Sequence, residues 1–319
     1  MSKVSIILPN YNHSLYLPLR IDSILNQTFP DYELIILDDF STDNSRDIIE
    51  RYRNHPRVTS IIYNEKNSGS TFFQWEKGIQ LAKGKYIWIA ESDDFSDNNF
   101  LSKIIQGLES KQGVGLAFCA SNITDKDNNV TSRNYNYDER INQLLSENFV
   151  MSGKEFCEQY LFFTCVIVNA SSVVFEKKLY NQVSQDFKTY KVSGDWRMWV
   201  DICYDTNIFY LNESLNYFRY HTNNVRTNKV SLMNEEAMFN YMASCKKTSS
   251  KTVQQKLKSQ LFKHWCFEFS RGMKTFRFRK SIQLMFKIIK IDYAFFFRGI
   301  HHLYEKAFQS QSKKKSAIG

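Results

Sequence analysis

The sequence predicts an α/β fold in which a mostly parallel sheet carries helices on both faces, followed by a helical C-terminal region. Over residues 1–120, short apolar runs alternate with stretches of helical periodicity, the order typical of a parallel sheet with crossover helices. From Leu232 onward the helical periodicity continues without strand-like runs. The 319 residues, 43% of them hydrophobic, suffice for a substantial core without disulfides.

Five strands are predicted from apolar runs too short to form helices. The first run is stopped by Pro9 and the fourth follows Gly84, both residues that interrupt regular structure. Continuous rather than alternating apolar character is typical of strands buried on both faces. The predicted strands span residues 4–8, 33–37, 58–63, 86–90 and 114–119.

Helices are predicted where apolar residues recur every three or four positions, as Ile21, Ile24 and Leu25 do. The spans with this pattern are 14–27, 72–82 and 98–108. A further helix is expected after an N-cap at Thr42 or Ser41, because such side chains accept hydrogen bonds from the free backbone N–H groups of a first turn.

The stretch after residue 120 is less regular. Residues 122–150 are polar and rich in Asn, and we expect a loop with little structure there. We predict one domain over 1–230, with halves 1–120 and 121–230, and a separate helical region over 231–319. The later pattern indicates helices over 154–161 and after Ser193, strands over 172–176, 208–211 and 215–221, and a polar loop over 222–229.

Charge is distributed unevenly along the chain. Residues 246–319 hold 18 Lys and Arg against three acidic residues, whereas the rest holds 24 basic and 30 acidic residues. Parts of opposite charge indicate different partners. Between residues 276 and 308, basic residues are mixed with bulky aromatic ones, a combination suited to an anionic membrane surface. Helices packed on the first domain, with a solvated basic side, explain the same pattern.

Cysteine usage and hydropathy predict a cytoplasmic protein, with peripheral attachment to the inner face of the cell membrane as an extension of that prediction. None of the six cysteines forms a Cys-x-x-Cys pair, which is typical of free thiols in a reducing compartment. The apolar run before Pro9 is too short for a signal peptide, and no uncharged apolar stretch reaches the roughly 18 residues of a membrane-spanning helix.

Three polar clusters, at 10–12, 38–39 and 91–94, follow predicted strands, at the edge where α/β proteins bind ligands. Neighbouring side chains on a strand point to opposite faces, so we expect different tasks for Asp38 and Asp39. The three acids within 91–94 would repel one another without a cation, and oxygen ligands favour Mg²⁺ or Mn²⁺. Capping of the next helix is the alternative for any single one of these acids.

Ordered motifs in this sequence resemble those of family 2 glycosyltransferases. The similarity is closest over residues 3–120 and extends more loosely to two later segments. The resemblance implies a GT-A fold, a nucleotide-sugar donor, a divalent metal and inversion at the anomeric carbon. The motifs are VSIILPNYN (4–12), SILNQT (23–28), LDDFSTD (37–43), NSG (67–69), AKGKYI (82–87) and ESDD (91–94), then GDW (194–196) and YFRYH (217–221).

The resemblance implies a role for each matching residue of the donor site. Pro9 and Tyr11 would border a uracil base, with the Tyr11 ring stacked against it. Asp39 would accept a hydrogen bond from the uracil ring N–H. Asp93 would hold the ribose, and Asp94 the Mg²⁺ or Mn²⁺ ion that bridges the diphosphate.

Four further residues are expected to support this site: Asn12, Asp38, Glu91 and Gln74. Glu91 stands where the family often has Asp. Many members have an Arg-Asn pair after the NSG turn, whose Arg contacts the diphosphate. Gln74 is the residue here that could take the place of that Arg.

The resemblance also places the general base before a helix in the second half of the domain. Inverting transfer needs a carboxylate that removes the proton of the attacking hydroxyl. Asp195, in a Gly-Asp pair, fits the family's position, and a helix N-cap is the alternative role for it. Arg219 and His221 are expected to reach the diphosphate from a mobile loop, with a structural role as the alternative for His221.

We therefore expect an enzyme that transfers a sugar, most simply from a UDP-sugar, to a glycan or lipid-linked acceptor in bacterial surface polysaccharide assembly. A nucleotidyltransferase would need a Gly-rich basic loop after the first strand, and residues 9–13 contain no Gly, Lys or Arg. A nucleic-acid-binding protein would use the basic tail with its aromatics but leave the acidic domain without a role, so no nucleic-acid partner is expected. A non-catalytic membrane-binding protein is the remaining alternative.

Overall fold

A computed structural model describes residues 2–133, 137–220, 230–274, 279–295, 297–299 and 301. The chain divides into two compact units, Met1–Thr227 and Asn228–Gly319. In the described residues, the first unit holds one mixed sheet flanked by helices, and the second holds helices.

Ten strands form the sheet of the first unit, as far as the described residues extend. They are β1 (Val4–Asn10), β2 (Tyr32–Asp38), β3 (Val58–Tyr63), β4 (Tyr86–Ile89), β5 (Phe95–Ser96), β6 (Val114–Thr124), β7 (Val130–Arg133), β8 (Phe149–Ser152), β9 (Val173–Glu176) and β10 (Asn207–Arg219). The order is β3-β2-β1-β4-β9-β6-β10-β5, with β7 beside β6 and β8 beside β10.

The strand directions confirm the predicted α/β architecture. β1 pairs in parallel with β2 and β4, β2 with β3, and β6 with β10. β9 lies antiparallel between β4 and β6, so these six strands share one direction and β9 opposes them. The carboxyl ends of β1, β2 and β4 therefore meet at one edge, where ligands bind in folds of this type.

In the part of the first unit that the structure describes, seven α-helices connect these strands. They are α1 (Leu17–Leu25), α2 (Ser45–Glu50), α3 (Thr71–Leu81), α4 (Phe100–Ser110), α5 (Glu139–Leu144), α6 (Gly153–Phe156) and α7 (Gly194–Tyr204). A π-helical turn, Cys157–Leu161, continues α6, and 3₁₀ turns span Ala170–Ser172, Lys177–Gln182 and Gln185–Thr189.

Apolar spacing explains how α1 packs on the sheet. Leu17, Ile21 and Ile24 lie on one face of the helix and are wholly buried. On β4, the Trp88 ring packs against Phe100 of α4 with 4.6 Å between ring centroids. These contacts belong to the main core and fix the carboxyl end of β4.

Three sequence predictions about local structure were wrong. Residues 122–150 are not a structureless loop, because β7 and α5 lie within them, β6 extends to Thr124 and β8 begins at Phe149. The N-cap of α2 is Asn44 rather than Thr42 or Ser41, and Ser41 Oγ instead accepts a hydrogen bond from the Asn12 backbone N–H. The two strands predicted over 208–221 are one strand, β10, with irregular register around Ser214.

The second unit contains α8 (Val230–Lys247), α9 (Lys251–Lys274) and α10 (Arg279–Ile289). Its aromatic centre is Trp265, whose ring centroid lies 5.2 Å from that of Phe269 and 5.4 Å from that of Phe295. None of the helices in the described parts of the chain has the length and hydropathy to cross a bilayer. The predicted polar loop over 222–229 lies outside the described residues.

Candidate active site

Asn10, at the end of β1, ties that strand to the turn after β2. Its Nδ2 donates to Asp38 Oδ2 at 2.9 Å and to Ser41 Oγ at 3.1 Å. Asp38 is fully buried and also accepts from the Ser41 backbone N–H at 3.0 Å and from Arg46 Nε at 3.4 Å. Asp38 therefore stabilises the turn after β2. This role differs from that of its neighbour Asp39, which is described below.

Pro9 and Tyr11, at the end of β1, differ in exposure. Pro9 is buried within β1, whereas the Tyr11 side chain is 45% exposed beyond its end. Asn12 adopts the left-handed conformation with φ of 56°, and its Oδ1 accepts from the Thr42 backbone N–H at 2.8 Å. Asn12 thus joins the two loops on either side of the exposed Tyr11 ring.

Asp39 is the centre of a second hydrogen-bond network. Oδ1 accepts from Asn64 Nδ2 at 2.6 Å and from Gln74 Nε2 at 2.8 Å, and Oδ2 accepts from Ser68 Oγ at 2.7 Å. The Ser68 backbone N–H also donates to Asp39 Oδ1, at 2.9 Å. Gln74 is buried beneath Asp39, so its expected place as a diphosphate ligand gives way to a role in orienting this carboxylate.

Asp94, the expected metal ligand, is buried and engaged by the fold. Its Oδ1 accepts from the Arg219 backbone N–H at 3.0 Å, and its Oδ2 accepts from Ser171 Oγ at 2.6 Å and Asn169 Nδ2 at 3.0 Å. Burial and the Asp93 carboxylate raise the pKa of Asp94 to about 6. Asp93 is more exposed than Asp94, so the geometry favours Asp93 as the group that faces a ligand.

Glu91 lies at the same strand end and is held by an aromatic side chain. Trp75 Nε1 donates to Glu91 Oε1 at 2.7 Å, and the Glu91 backbone N–H donates to Ser171 Oγ at 3.0 Å. Burial and the charges of Asp93 and Asp94 raise the pKa of Glu91 to about 8. The three acids are therefore crowded enough to hinder one another's ionisation.

The expectation that Arg219 reaches the diphosphate from a mobile loop was wrong. Arg219 ends β10, is buried, and its Nε donates to the Asp93 backbone carbonyl at 2.7 Å. Its Nη1 donates to Asn128 Oδ1, and the guanidinium lies 4.4 Å from the Tyr16 ring centroid. Arg219 therefore fixes the main chain beside Asp93. His221 lies outside the described residues.

Asp195 lies in the first turn of α7 and is 7% exposed. Its Oδ1 accepts from the Trp196 backbone N–H at 2.8 Å, while the N-cap position belongs to Ser193. Trp199, one turn later, lies 6.2 Å from the ring of Trp75, which is the hydrogen-bond donor to Glu91. The packing thus links the helix of Asp195 to the acids after β4.

The acids after β4 are the residues of this site that could hold the expected Mg²⁺ or Mn²⁺ ion. Within the described residues, no group of three His, Cys, Asp or Glu side chains is arranged to hold a metal ion. Mg²⁺ and Mn²⁺ sites in nucleotide-binding proteins commonly use one or two carboxylates together with phosphate oxygens. Asp93 and Glu91 could supply such carboxylates without a complete protein cage.

Sequence reasoning missed several residues that shape the site. Asn169 and Ser171, which bind Asp94, lie 75 and 77 residues away in sequence and carry no local signal. Trp75 donates a hydrogen bond to Glu91 that no pattern in the sequence indicates.

Comparison with known proteins identifies the family. The family model described as "Glycosyl transferase family 2" matches residues 5–184. The chain belongs to this family. It is 29% identical to chondroitin synthase from Escherichia coli over 215 residues, which are 66% of this chain and 30% of that protein. The chain spans only 30% and 46% of the lengths of the first curated glycosyltransferases that it matches.

Solved structures support the same fold. The chain matches S. aureus TarS 1–349 in complex with UDP-GlcNAc with a TM-score of 0.63 and 17% identity, over 85% of this chain and 73% of that one. It also matches the mannosyltransferase PcManGT from Pyrobaculum calidifontis, in complex with GDP-Man and Mn²⁺, with a TM-score of 0.59 and 12% identity, over 98% of this chain and 83% of that one. At such identities the likeness concerns the fold, which confirms the predicted GT-A architecture.

Proposed function

We propose that this protein transfers a sugar from a UDP-sugar to a glycan or lipid-linked acceptor, with inversion, in the assembly of a bacterial surface polysaccharide. The observation that carries the proposal is the meeting of acidic residues at one sheet edge. Asp39 follows β2, Glu91 and Asp93 follow β4, and the Trp75–Trp199 contact links the helix of Asp195 to them. Family membership and relatives named as polysaccharide glycosyltransferases support the reaction class.

The uracil would bind between the exposed Tyr11 ring and the loop that Asp39 organises. Stacking on an aromatic ring needs an exposed face, which Tyr11 offers beside the buried Pro9. Asp39 would accept a hydrogen bond from the uracil ring N–H. Ser68 and Gln74 orient its carboxylate for that contact.

Asp93 would face both the ribose and the cation, while Asp94 anchors the turn from inside. The resemblance implies Asp94 as the cation ligand, and we place the cation at Asp93 instead because Asp93 is the more exposed of the two acids. When bound, Mg²⁺ or Mn²⁺ would offset the negative charge that develops on the departing diphosphate. Asp38 and Asn12 would keep the neighbouring loops in place.

Asp195 would act as the general base. Its carboxylate takes the proton of the acceptor hydroxyl while that oxygen forms a bond to the anomeric carbon and the bond to the diphosphate breaks. A single displacement of this kind inverts the anomeric configuration. The contact between Trp199 and Trp75 supports a fixed position for Asp195 relative to the donor site.

The second unit is proposed to bind an anionic membrane surface, which would suit a lipid-linked acceptor at the cytoplasmic face. Among the described residues of this unit, four aromatic side chains are more than half exposed, in a region with a large excess of basic residues. Aromatic and basic groups together favour the interface of an anionic bilayer. The exposed side chains are Phe267, Phe286, Tyr293 and Phe297.

A screen of nucleotide sugars tests the proposed function. The purified chain is incubated with each donor and Mn²⁺, and release of the nucleoside diphosphate is measured with and without glycan acceptors. UDP binding is compared with binding of single-stranded nucleic acid across a salt series. We expect release from at least one UDP-sugar and calorimetric binding of UDP. Tight, salt-sensitive nucleic-acid binding without UDP binding would contradict the proposal.

A further inference from the structure

We infer that Arg20 is the internal counter-cation of the carboxylates at the end of β4, and thereby a positioning residue for the nucleotide-sugar site. Nothing in the resemblance or in the family match assigns a role to this residue. The identity of the ligand rests on the proposed function above. The charge coupling itself rests on the structure of the protein alone.

Arg20 is wholly buried on the face of α1 that packs against the sheet. Its guanidinium carbon lies 5.0 Å from the centroid of the Trp88 ring on β4. Among the described residues, none of its three guanidinium nitrogens has a hydrogen-bond partner. Burying an arginine in this way is costly unless nearby opposite charge compensates.

The compensating charges are the acids of the candidate site. Arg20 interacts electrostatically with Asp94 most strongly, then with Glu91 and Asp93. Burial lowers the pKa of Arg20 to about 10, which leaves it cationic at neutral pH. The buried positive charge of Arg20 in turn favours the ionised forms of Glu91 and Asp94.

The other arginine near these acids has a different task. Arg219 directs its guanidinium to the Asp93 carbonyl and to residues 125, 126 and 128. It holds the main chain, whereas the Arg20 guanidinium is buried against Trp88 with no hydrogen-bond partner among the described residues. The two residues are consequently expected to respond differently when an acid of the cluster is neutralised.

Two explanations of the buried Arg20 predict opposite effects of Arg20→Met on the stability of the protein. If Arg20 only packs on Trp88, then Arg20→Met removes an unpaired buried charge and leaves stability unchanged or raised. If Arg20 balances the carboxylates, the same change destabilises the protein, because it leaves crowded negative charges uncompensated. A second substitution that removes one of those charges should then restore stability.

The experiment is a double-mutant cycle on the full chain in EDTA, followed by urea and thermal unfolding. We expect Arg20→Met to lower the melting temperature by roughly 3 °C or more. Adding Asp93→Asn should recover at least half of that loss, and Arg20→Lys should stay close to the parent. The matched control is Glu33→Gln, because Glu33 is a buried acid at the opposite end of the parallel strands. Its effect on the melting temperature should add to that of Arg20→Met without any coupling.

An Arg20→Met protein as stable as the parent, or strict additivity with Asp93→Asn, would overturn the inference. If Arg20→Met alone does not fold, recovery of folded protein by Asp93→Asn supports the inference and failure of recovery overturns it. A second arm adds Mn²⁺, which should stabilise Arg20→Met more than the parent. Coupling in EDTA without any Mn²⁺ effect would reject the proposed cation and leave the role of Arg20 standing.

Discussion

The indole nitrogen of Trp75 donates a 2.7 Å hydrogen bond to Glu91 Oε1, while its ring lies 6.2 Å from that of Trp199. This pair of contacts joins α3, the end of β4 and α7 around one carboxyl group. Asp195 precedes Trp199 by one helical turn, so the proposed base and the acid cluster share a support. Substitutions at Trp75 are therefore expected to affect both donor binding and transfer.

Asp195→Asn tests the proposed base. The substitution keeps the shape and one oxygen but removes the proton acceptor, so the transfer rate should fall by about 100- to 10,000-fold. UDP affinity by calorimetry and the melting temperature should stay near the parent values. Asp205→Asn, at the exposed C-terminal end of the same helix, is the control. Transfer within a few-fold of the parent would assign the base elsewhere.

Gly194→Ala tests whether the position of Asp195 depends on close backbone packing. A Cβ at residue 194 would lie 2.4 Å from the Phe187 carbonyl oxygen and 2.6 Å from the Phe72 ring. The start of α7 must therefore move, at a cost of about 1–3 kcal/mol in the free energy of unfolding. We expect a lower melting temperature and slower transfer. Gly299→Ala, where the nearest atom is 3.6 Å away, should change neither property.

The raised pKa of Glu91, about 8, predicts how stability depends on pH. An unfolded Glu ionises near its ordinary pKa of about 4.3. Between that value and 8 the folded protein binds the extra proton, so this contribution to stability is fully present below about pH 4, is lost progressively as pH rises to 8, and changes little above 8. In EDTA, melting temperatures should fall from about pH 5 to pH 8 and then level off.

Glu91→Gln is the variant that checks this assignment. It keeps an oxygen for the Trp75 N–H and removes the ionisation, so the decline in melting temperature above pH 6 should flatten. Glu65→Gln, an exposed acid in the loop after β3, is the control and should leave the slope unchanged. An equal decline in the Glu91→Gln and parent proteins would place the titrating group elsewhere.

Asp39→Asn should weaken UDP binding even in EDTA, because the contact proposed for Asp39 is with the base. It should also destabilise the protein by about 1–3 kcal/mol, since the amide cannot accept from Ser68 and Gln74 as the carboxylate does. Calorimetry and urea unfolding measure the two effects. Gln74→Met removes one donor and leaves the carboxylate, so UDP affinity should fall less. Unchanged UDP affinity in Asp39→Asn would exclude Asp39 from the base site.

Membrane binding by the second unit is tested with vesicles that contain phosphatidylglycerol. The full chain should bind them less tightly as salt rises, because the attraction between basic residues and anionic lipid is screened. Phe286→Ser with Tyr293→Ser should weaken binding by roughly threefold or more, since both side chains are largely exposed. Val130→Ser, at an exposed position of the first unit, is the control. Equal binding by all three proteins would contradict the membrane proposal.

The donor half of the fold could be predicted because its signals are local. The apolar runs that became β1, β2 and β4 are buried along their whole length, so composition alone marks them as strands. β7 escaped prediction because all four of its residues are exposed and its pairing with β6 comes from distant sequence. Irregular register around Ser214 divided the apolar pattern of β10 into two apparent strands.

The sequence indicates which acidic residues belong to the candidate site but not which residues form hydrogen bonds with them. The acidic pairs stand out in the sequence, yet their division into a buried anchor, Asp94, and a more exposed neighbour, Asp93, depends on Ser171 and Arg219. Such contacts join residues far apart in the chain, and no spacing rule encodes them. Arg219 illustrates the limit, because its motif suggested a phosphate contact and its surroundings make it a main-chain support.

The partners of Asp94 follow it by 75, 77 and 125 residues. During synthesis, β1, β2 and β4 leave the ribosome well before the residues that enclose the acids at their ends. Contacts of such sequence separation form late and slowly. A nascent chain therefore carries β1, β2 and β4 while the acidic turn after β4 is still open to water. The sugar-nucleotide binding proposed above would have to wait until residue 219 has emerged and β10 has joined the sheet.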